Sequence, residues 1–315
     1  MVTRVHLGID VGGTASRWVA CDDAGTELTR GKAAGATGHI FNPAERDRLV
    51  GALSQIAQAL ASAGLAAGSL TAGLTGYGSA VAHDVKALLT GLFGLEAGAI
   101  LVTDDIVLAY MANFAPGAGH LVSAGTGSIG LHLGAGDDDY VRVGGRGILI
   151  DDAGSGSWIA LQALDAMYRA LDHLGSFDSV AALARQVFGE IGGESWHDVR
   201  QFVYAGDRGR IGTLAVAVAR AAAEGDAVAA SILRQAAAEL AQLAQALVAR
   251  VGHRPIGFVG GVLNLHPLIA SEIRHALPGH EVRLLDADAC LAAARLRTTG
   301  DAGWRQVLAN RSSIG

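Results

Sequence analysis

The sequence predicts an α/β protein of two domains with a helical insertion in the second, and three observations predict it. Paired apolar runs of strand length flank a glycine turn twice, at Arg4 to Asp10 with Ser16 to Asp22 and again at His120 to Ala124 with Ser128 to Leu133. Each opening gives way to helical segments that alternate with single apolar strands, which describes a mixed sheet covered by helices. The 315 residues also exceed the comfortable size of one core, so two domains of ~100–200 residues are expected.

The elements follow in order. Glu27 to Ala33 makes a third strand, introduced by the turn Asp22-Asp23-Ala24-Gly25. Asn42-Pro43 opens a helix to about Ser62, with proline suited to the first helical position. Ser69 to Thr75 and Ala99 to Val102 read as strands, each followed by a helix. Ala115-Pro116-Gly117-Ala118-Gly119 combines a helix stop with flexible glycines, so the domains are drawn at 1–115 and 116–315. After it come strands at His120 to Ala124, Ser128 to Leu133 and Tyr140 to Val143, then alanine-rich helices at about 155–173, 210–223 and 226–250. Strands at Ile256 to Val259 and Val282 to Leu285 interrupt any helical array, and no fixed repeat is visible. The final helix is expected to pack back on the first domain.

Composition narrows the function classes. Half the residues are apolar and 17% are charged, which allows a large core. A formal charge of −6 without a concentrated basic run argues against a nucleic-acid partner. No apolar stretch reaches the ~20 residues of a membrane span, and no leader-like segment precedes Arg4, so a cytoplasmic protein without a membrane partner is expected. Cys21 and Cys290 are isolated and read as reduced core thiols; the histidines are scattered, with no pair spaced for a transition metal.

The chemistry concentrates at the two turns. Gly12-Gly13-Thr14 leaves backbone N–H groups uncovered for phosphate oxygens, and Thr14 and Ser16 add hydroxyls. Gly125-Thr126-Gly127-Ser128 repeats the design. Two such loops facing across a cleft suit an ATP-dependent phosphotransferase, although either alone could be an ordinary tight turn. Asp10 would repel phosphate, so its useful role is to hold a hydrated Mg²⁺. Asp104 ends an apolar strand, where α/β proteins place ligands, and could take the proton of an accepting hydroxyl. Asp104 and Asp105 read blandly as a pair of helix-capping carboxylates, Asp105 turned away as the helix begins.

In order along almost the whole chain, Gly8-Ile9-Asp10-Val11-Gly12-Gly13-Thr14, Thr103-Asp104, Ser123 to Ser128, Gly144-Gly145-Arg146-Gly147, Asp152-Ala153-Gly154-Ser155-Gly156 and Gly260-Gly261-Val262 resemble the actin/hexokinase/Hsp70-type ATPase superfamily. Within it the chain resembles the BadF/BadG family, which contains N-acetylglucosamine and glucosamine kinases. The resemblance implies two ribonuclease H-like domains with a cleft between them, ATP and Mg²⁺ as cofactors, an amino sugar as substrate and a homodimer. It implies Asp104 as catalytic base, Asp152 and Gly145 at the sugar, and Gly260 and Gly261 at the adenosine. The family's sugar loop falls on Gly35 to His39, where Gly38 replaces a common Asn and Thr37, His39 or Asn42 could substitute. The resemblance implies the 6-hydroxyl of N-acetylglucosamine as the acceptor; Ile129 follows the second turn as in glucosamine-type members and speaks for glucosamine as the alternative.

Two other classes compete. An iron–sulfur activator of a dehydratase needs cysteines at a shared interface, which Cys21 and Cys290 do not supply by their spacing. A non-enzymatic sugar sensor would dispense with turnover, yet Asp104 is present and no DNA-binding helix pair precedes Arg4.

Overall fold

The structure is a computed structural model that describes residues 2–136, 139–206, 208–298 and 301–313. The chain forms two compact units, one of residues 1–118, 133–140 and 287–315, the other of residues 119–132 and 141–286.

In the first unit, β1 (Thr3–Val11), β2 (Ala15–Cys21) and β3 (Glu27–Ala34) form an antiparallel meander. Helix α1 (Pro43–Ser62) then leads to β4 (Leu65–Leu74), and α2 (Ser79–Phe93) leads to β5 (Ile100–Asp104) and α3 (Asp105–Asn113). The sheet order is β3-β2-β1-β4-β5, with β4 parallel to both β1 and β5. Strand β4 begins four residues before the expected Ser69, because Leu65 to Ala67 pair with Thr3 to Val5 although they lack strand-like branching. Asn42 caps α1, its side chain accepting from the Ala44 N–H at 3.0 Å, and Pro43 takes the first turn as the sequence suggests. Ile9, Leu49, Leu53, Ile56, Leu70 and Val85 are fully buried between this sheet and its helices, each worth about 1.5–3 kcal/mol of apolar burial.

The second unit is built on β6 (His120–Ala124), β7 (Ser128–Leu133) and β8 (Tyr140–Gly144). Helices α4 (Gly156–Leu174), α5 (Ala181–Ile191), α6 (Trp196–Tyr204), α7 (Arg208–Ala223) and α8 (Ala227–Val251) follow. Strand β9 (Ile256–Val259), α9 (Pro267–Ala276) and β10 (Val282–Leu284) complete a sheet of order β10-β9-β6-β7-β8. Ala160, Ala163, Ala217, Ala221, Ala237 and Ala241 are buried. The alanine-rich composition thus serves close packing among α4, α7 and α8, where small side chains let backbones approach.

Helices α10 (Ala289–Arg295) and α11 (Ala302–Ser313) belong to the first unit. Gly8 explains how α10 seats itself: a Cβ there would lie 2.0 Å from the Cys290 carbonyl oxygen and 2.5 Å from the Ala294 nitrogen. Only a residue without a side chain lets the helix backbone rest on β1. Val19 and Cys21 of β2 pack with Cys290 and Ala294 on the same face.

Candidate functional site

In the first unit the candidate residues gather at the C-terminal edge of the parallel strands β1, β4 and β5. The β1–β2 turn is closed by the Gly12 N–H donating to the Ala15 carbonyl at 3.2 Å, which leaves Gly13 and Thr14 exposed at the tip. Ser16 does not join them. It is fully buried, and its hydroxyl donates to the Ala34 carbonyl at 2.8 Å.

Asp10 lies next to the end of β1 with its side chain 25% exposed and Arg17 Nη1 3.9 Å from Oδ2. Burial, and after it the Asp105 carboxylate, pushes the Asp10 carboxyl up to about 6, against a smaller lowering by Arg17 and a further rise from Asp288. Asp288 is compensated by Arg30 at 2.7 Å and by the Leu291 N–H, and no group of three His, Cys, Asp or Glu side chains placed to share a metal is found among the described residues, so a divalent cation here would rest on Asp10, with at most one further carboxylate, and on water.

Asp104 pairs in register with Leu74 and caps α3, its Oδ1 3.4 Å from the Ile106 N–H. Asp105 also accepts from that N–H, at 2.8 Å, but its other oxygen holds the Thr75 hydroxyl at 2.5 Å. Asp105 is thus turned toward Thr75 and acts on Asp10, where the start of a helix would be expected to turn it away. Thr75 itself donates its N–H to the Val11 carbonyl at 3.0 Å, tying the ends of β1 and β4 together.

The loop from Gly35 to Asn42 is stitched to the same edge. The Ala36 N–H donates to the Gly12 carbonyl at 3.1 Å, and the Gly38 N–H donates to the Thr75 carbonyl at 2.8 Å. A Cβ on Gly35 would lie 2.3 Å from the Gly13 oxygen, so the loop backs directly onto the turn. Thr37 donates its hydroxyl to Glu45 at 2.9 Å, and the His39 ring occupies the space where a Gly76 side chain would be, 2.2 Å from that Cβ position. Asn42 spends its carbonyl oxygen on the α1 cap.

In the second unit, the β6–β7 turn is closed by the Gly125 N–H donating to the Gly127 carbonyl at 2.9 Å. The start of α4 is locked to it, since the Gly156 N–H donates to the Gly125 carbonyl at 2.8 Å and the Ser157 N–H to the Thr126 carbonyl at 3.3 Å. Ser155 caps α4 by accepting from the Trp158 N–H at 3.2 Å. Asp152 sits against the turn: a Cβ on Gly127 would lie 2.9 Å from its Oδ2. It is 3% exposed and has φ +70°, left-handed geometry that no other described non-glycine residue adopts. Such strain collects where the surrounding structure over-determines a residue, often at ligand sites.

Gly145, with φ +67°, lies against the Ile129 side chain, which would meet a Cβ there at 2.9 Å. Gly260, with φ +110°, brings the end of β9 against β6; a Cβ would lie 2.3 Å from the Ala124 carbonyl oxygen. Gly261 beside it is exposed. Gly125, Thr126, Gly127, Asp152, Gly260 and Gly261 therefore border one end of the second sheet. A separate cavity of about 310 Å³ in the first unit, lined by Met111, Asp288, Leu291 and Trp304 among others, contains none of the glycine-turn residues.

The sequence model of the BadF/BadG/BcrA/BcrD ATPase family matches residues 7–282. No curated protein matches the chain. Among solved structures, a provisionally named N-acetylglucosamine kinase from Chromobacterium violaceum is 23% identical with a TM-score of 0.72, over 94% of this chain and 100% of that one. A second provisionally named N-acetylglucosamine kinase, from Porphyromonas gingivalis, is 16% identical with a TM-score of 0.70, over 93% and 99%. A ROK family glucokinase from Streptomyces griseus, in complex with glucose and AMPPNP, is 19% identical with a TM-score of 0.56, over 93% and 98%. These likenesses show the two-domain α/β fold of the actin-like ATPases, as the ordered motifs imply.

Proposed function

Because the chain belongs to the BadF/BadG/BcrA/BcrD ATPase family, we propose that it is an ATP-dependent sugar kinase whose acceptor is the 6-hydroxyl of N-acetylglucosamine. One observation carries the reading: Asp104 ends β5 in register with Leu74 at the end of β4, next to Asp105, which holds Thr75, on the sheet edge where β1 runs into the exposed Gly13-Thr14 tip. A carboxylate at that edge can orient an accepting hydroxyl and take its proton as the bond to phosphorus forms.

Gly12, Gly13 and Thr14 in one unit and Gly125, Thr126 and Gly127 in the other would present backbone N–H groups to the phosphates of ATP. Gly260 and Gly261 would admit the adenosine by lacking side chains, and the buried Asp152 would accept hydrogen bonds from sugar hydroxyls, with Gly145 shaping the wall. Thr37, Gly38 and His39 belong to the loop beside Asp104's edge and would border the sugar. Ser16 drops out of this set, its hydroxyl already committed to Ala34. Asp10 would hold Mg²⁺ through water, and the ion would neutralise charge on the transferred phosphoryl group. A cytoplasmic homodimer belongs to this reading by family likeness.

Glucosamine is the second acceptor, favoured by Ile129, whose apolar side chain fills the space beside Gly145 and offers nothing to an amide. A coupled ADP-release assay across glucose, glucosamine, N-acetylglucosamine, N-acetylmannosamine and N-acetylmuramic acid tests both. Turnover highest on N-acetylglucosamine and lost in Asp104→Asn is the expected result. Absence of sugar-dependent ADP release from the folded protein would overturn the kinase reading.

A further inference from the structure

Two arginines of the first unit take no part in the site above. Arg297 follows the end of α10 and Arg305 lies in the first turn of α11, both partly buried. The Nε–H of each is buried and meets no acceptor among the described residues. Arg297 Nη2 donates to the Gly98 carbonyl at 2.9 Å, just before β5. Eleven ion pairs join other side chains of the described residues, and neither arginine is in any of them. The two charges are also close enough to oppose each other: burial and, after it, Arg305 hold Arg297 below the ordinary arginine value.

An arrangement of two mutually repelling cations with buried, unanswered donors is unfavourable as it stands, in a chain whose net charge is −6. An oxyanion placed between them would answer both donors and cancel the repulsion. Guanidinium forks match phosphate geometry, and a tetrahedral phosphoryl group has enough free oxygens to accept from two forks at once. We propose that Arg297 and Arg305 form a binding site for a phosphoryl oxyanion, either inorganic phosphate or the phosphate of a small phosphorylated metabolite. The Gly98 contact puts this site at the start of β5, about 13 Å of strand from Asp104 at its other end, so it is separate from the glycine turns. The proposal does not depend on the kinase reading.

Hydrogen–deuterium exchange on the full chain tests it, with sodium phosphate titrated against sodium chloride at constant ionic strength and glucose 6-phosphate in a parallel arm. Saturable protection is expected in peptides covering α10, α11 and the start of β5, with affinity at least about tenfold weaker in Arg297→Gln and in Arg305→Gln. Protection by both ligands assigns the site to the phosphoryl group alone; protection by only one identifies free phosphate or the ester as the ligand, and each of these supports the proposal. Circular dichroism reports whether the variants fold, and should Arg297→Gln fail, Arg305→Gln decides. No saturable protection by either ligand at tens of millimolar, or protection unchanged in a folded variant, would overturn the proposal.

Discussion

Replacing Asp10 with asparagine should stabilise the protein above neutral pH while removing its activity. The Asp10 carboxyl rises from an ordinary 3.8 to about 6 in the folded chain, chiefly through burial and then through Asp105. The folded state therefore binds this proton more tightly than the unfolded state, so ionising Asp10 works against folding. That penalty is absent below pH 3.8, grows between 3.8 and about 6, and is complete above about 6. At 1.36 kcal/mol per factor of ten in proton affinity, the full penalty is about 3 kcal/mol. Asparagine removes the charge but still needs hydrogen-bond partners, so a net gain of about 1–2 kcal/mol is expected at pH 7.5. Urea unfolding followed by tryptophan fluorescence measures it, since Trp18 and Trp304 are buried in the same unit. The advantage of Asp10→Asn over the wild type should shrink as pH is lowered from 7.5 to 4.5. An advantage that is the same at both pH values, or absent at both, would refute the reasoning.

Further outcomes follow from the same geometry. Mg²⁺ should raise the thermal midpoint of the wild type but not of Asp10→Asn, and isothermal titration in two buffers should detect proton release near pH 6, because the cation displaces the proton Asp10 holds there. Asp104→Asn should keep the fold, asparagine being an equally good cap for α3, yet lower kcat by at least about a hundredfold in the ADP-release assay. Asp152→Gly relieves a φ of +70° and should leave stability unchanged or raised by about 1 kcal/mol, while raising the sugar KM. Gly260→Ala forces a Cβ to within 2.3 Å of the Ala124 oxygen at φ +110° and should cost about 3 kcal/mol or more, read by the same urea titration.

Much of the fold could be read because its signals are local. Glycine turns, a proline at a helix start and apolar runs of strand length located the meanders, the crossover strands and the alanine-rich helices to within a few residues. Ser16 was misplaced although the signal existed: Ser16, Trp18 and Ala20 alternate on one face of β2 and are all buried, so a hydroxyl at Ser16 faces inward. Asp105 is a different case. Its turn toward Thr75 depends on the register of β4 against β5, which neighbouring residues do not encode. The left-handed backbone of Asp152 likewise arises from packing between the second turn and α4. Gly8 stands in the run Gly8 to Thr14 that carries the superfamily resemblance, and its nearest demand comes from a helix some 280 residues further along the chain.

That last contact bears on how the polypeptide is made. Strand β1 leaves the ribosome well before α10, so the backbone that covers Gly8 and the neighbouring Val19 and Cys21 is not synthesised until residue 290 and beyond. Until then α3 packs on the β4 part of this face, against Gly73, while the part around Gly8, Val19 and Cys21 must wait uncovered, an exposure that long-range contacts impose and that favours aggregation or capture by chaperones. Nascent chains arrested just before α10 should therefore be the most protease-sensitive and chaperone-dependent stage of this protein's life.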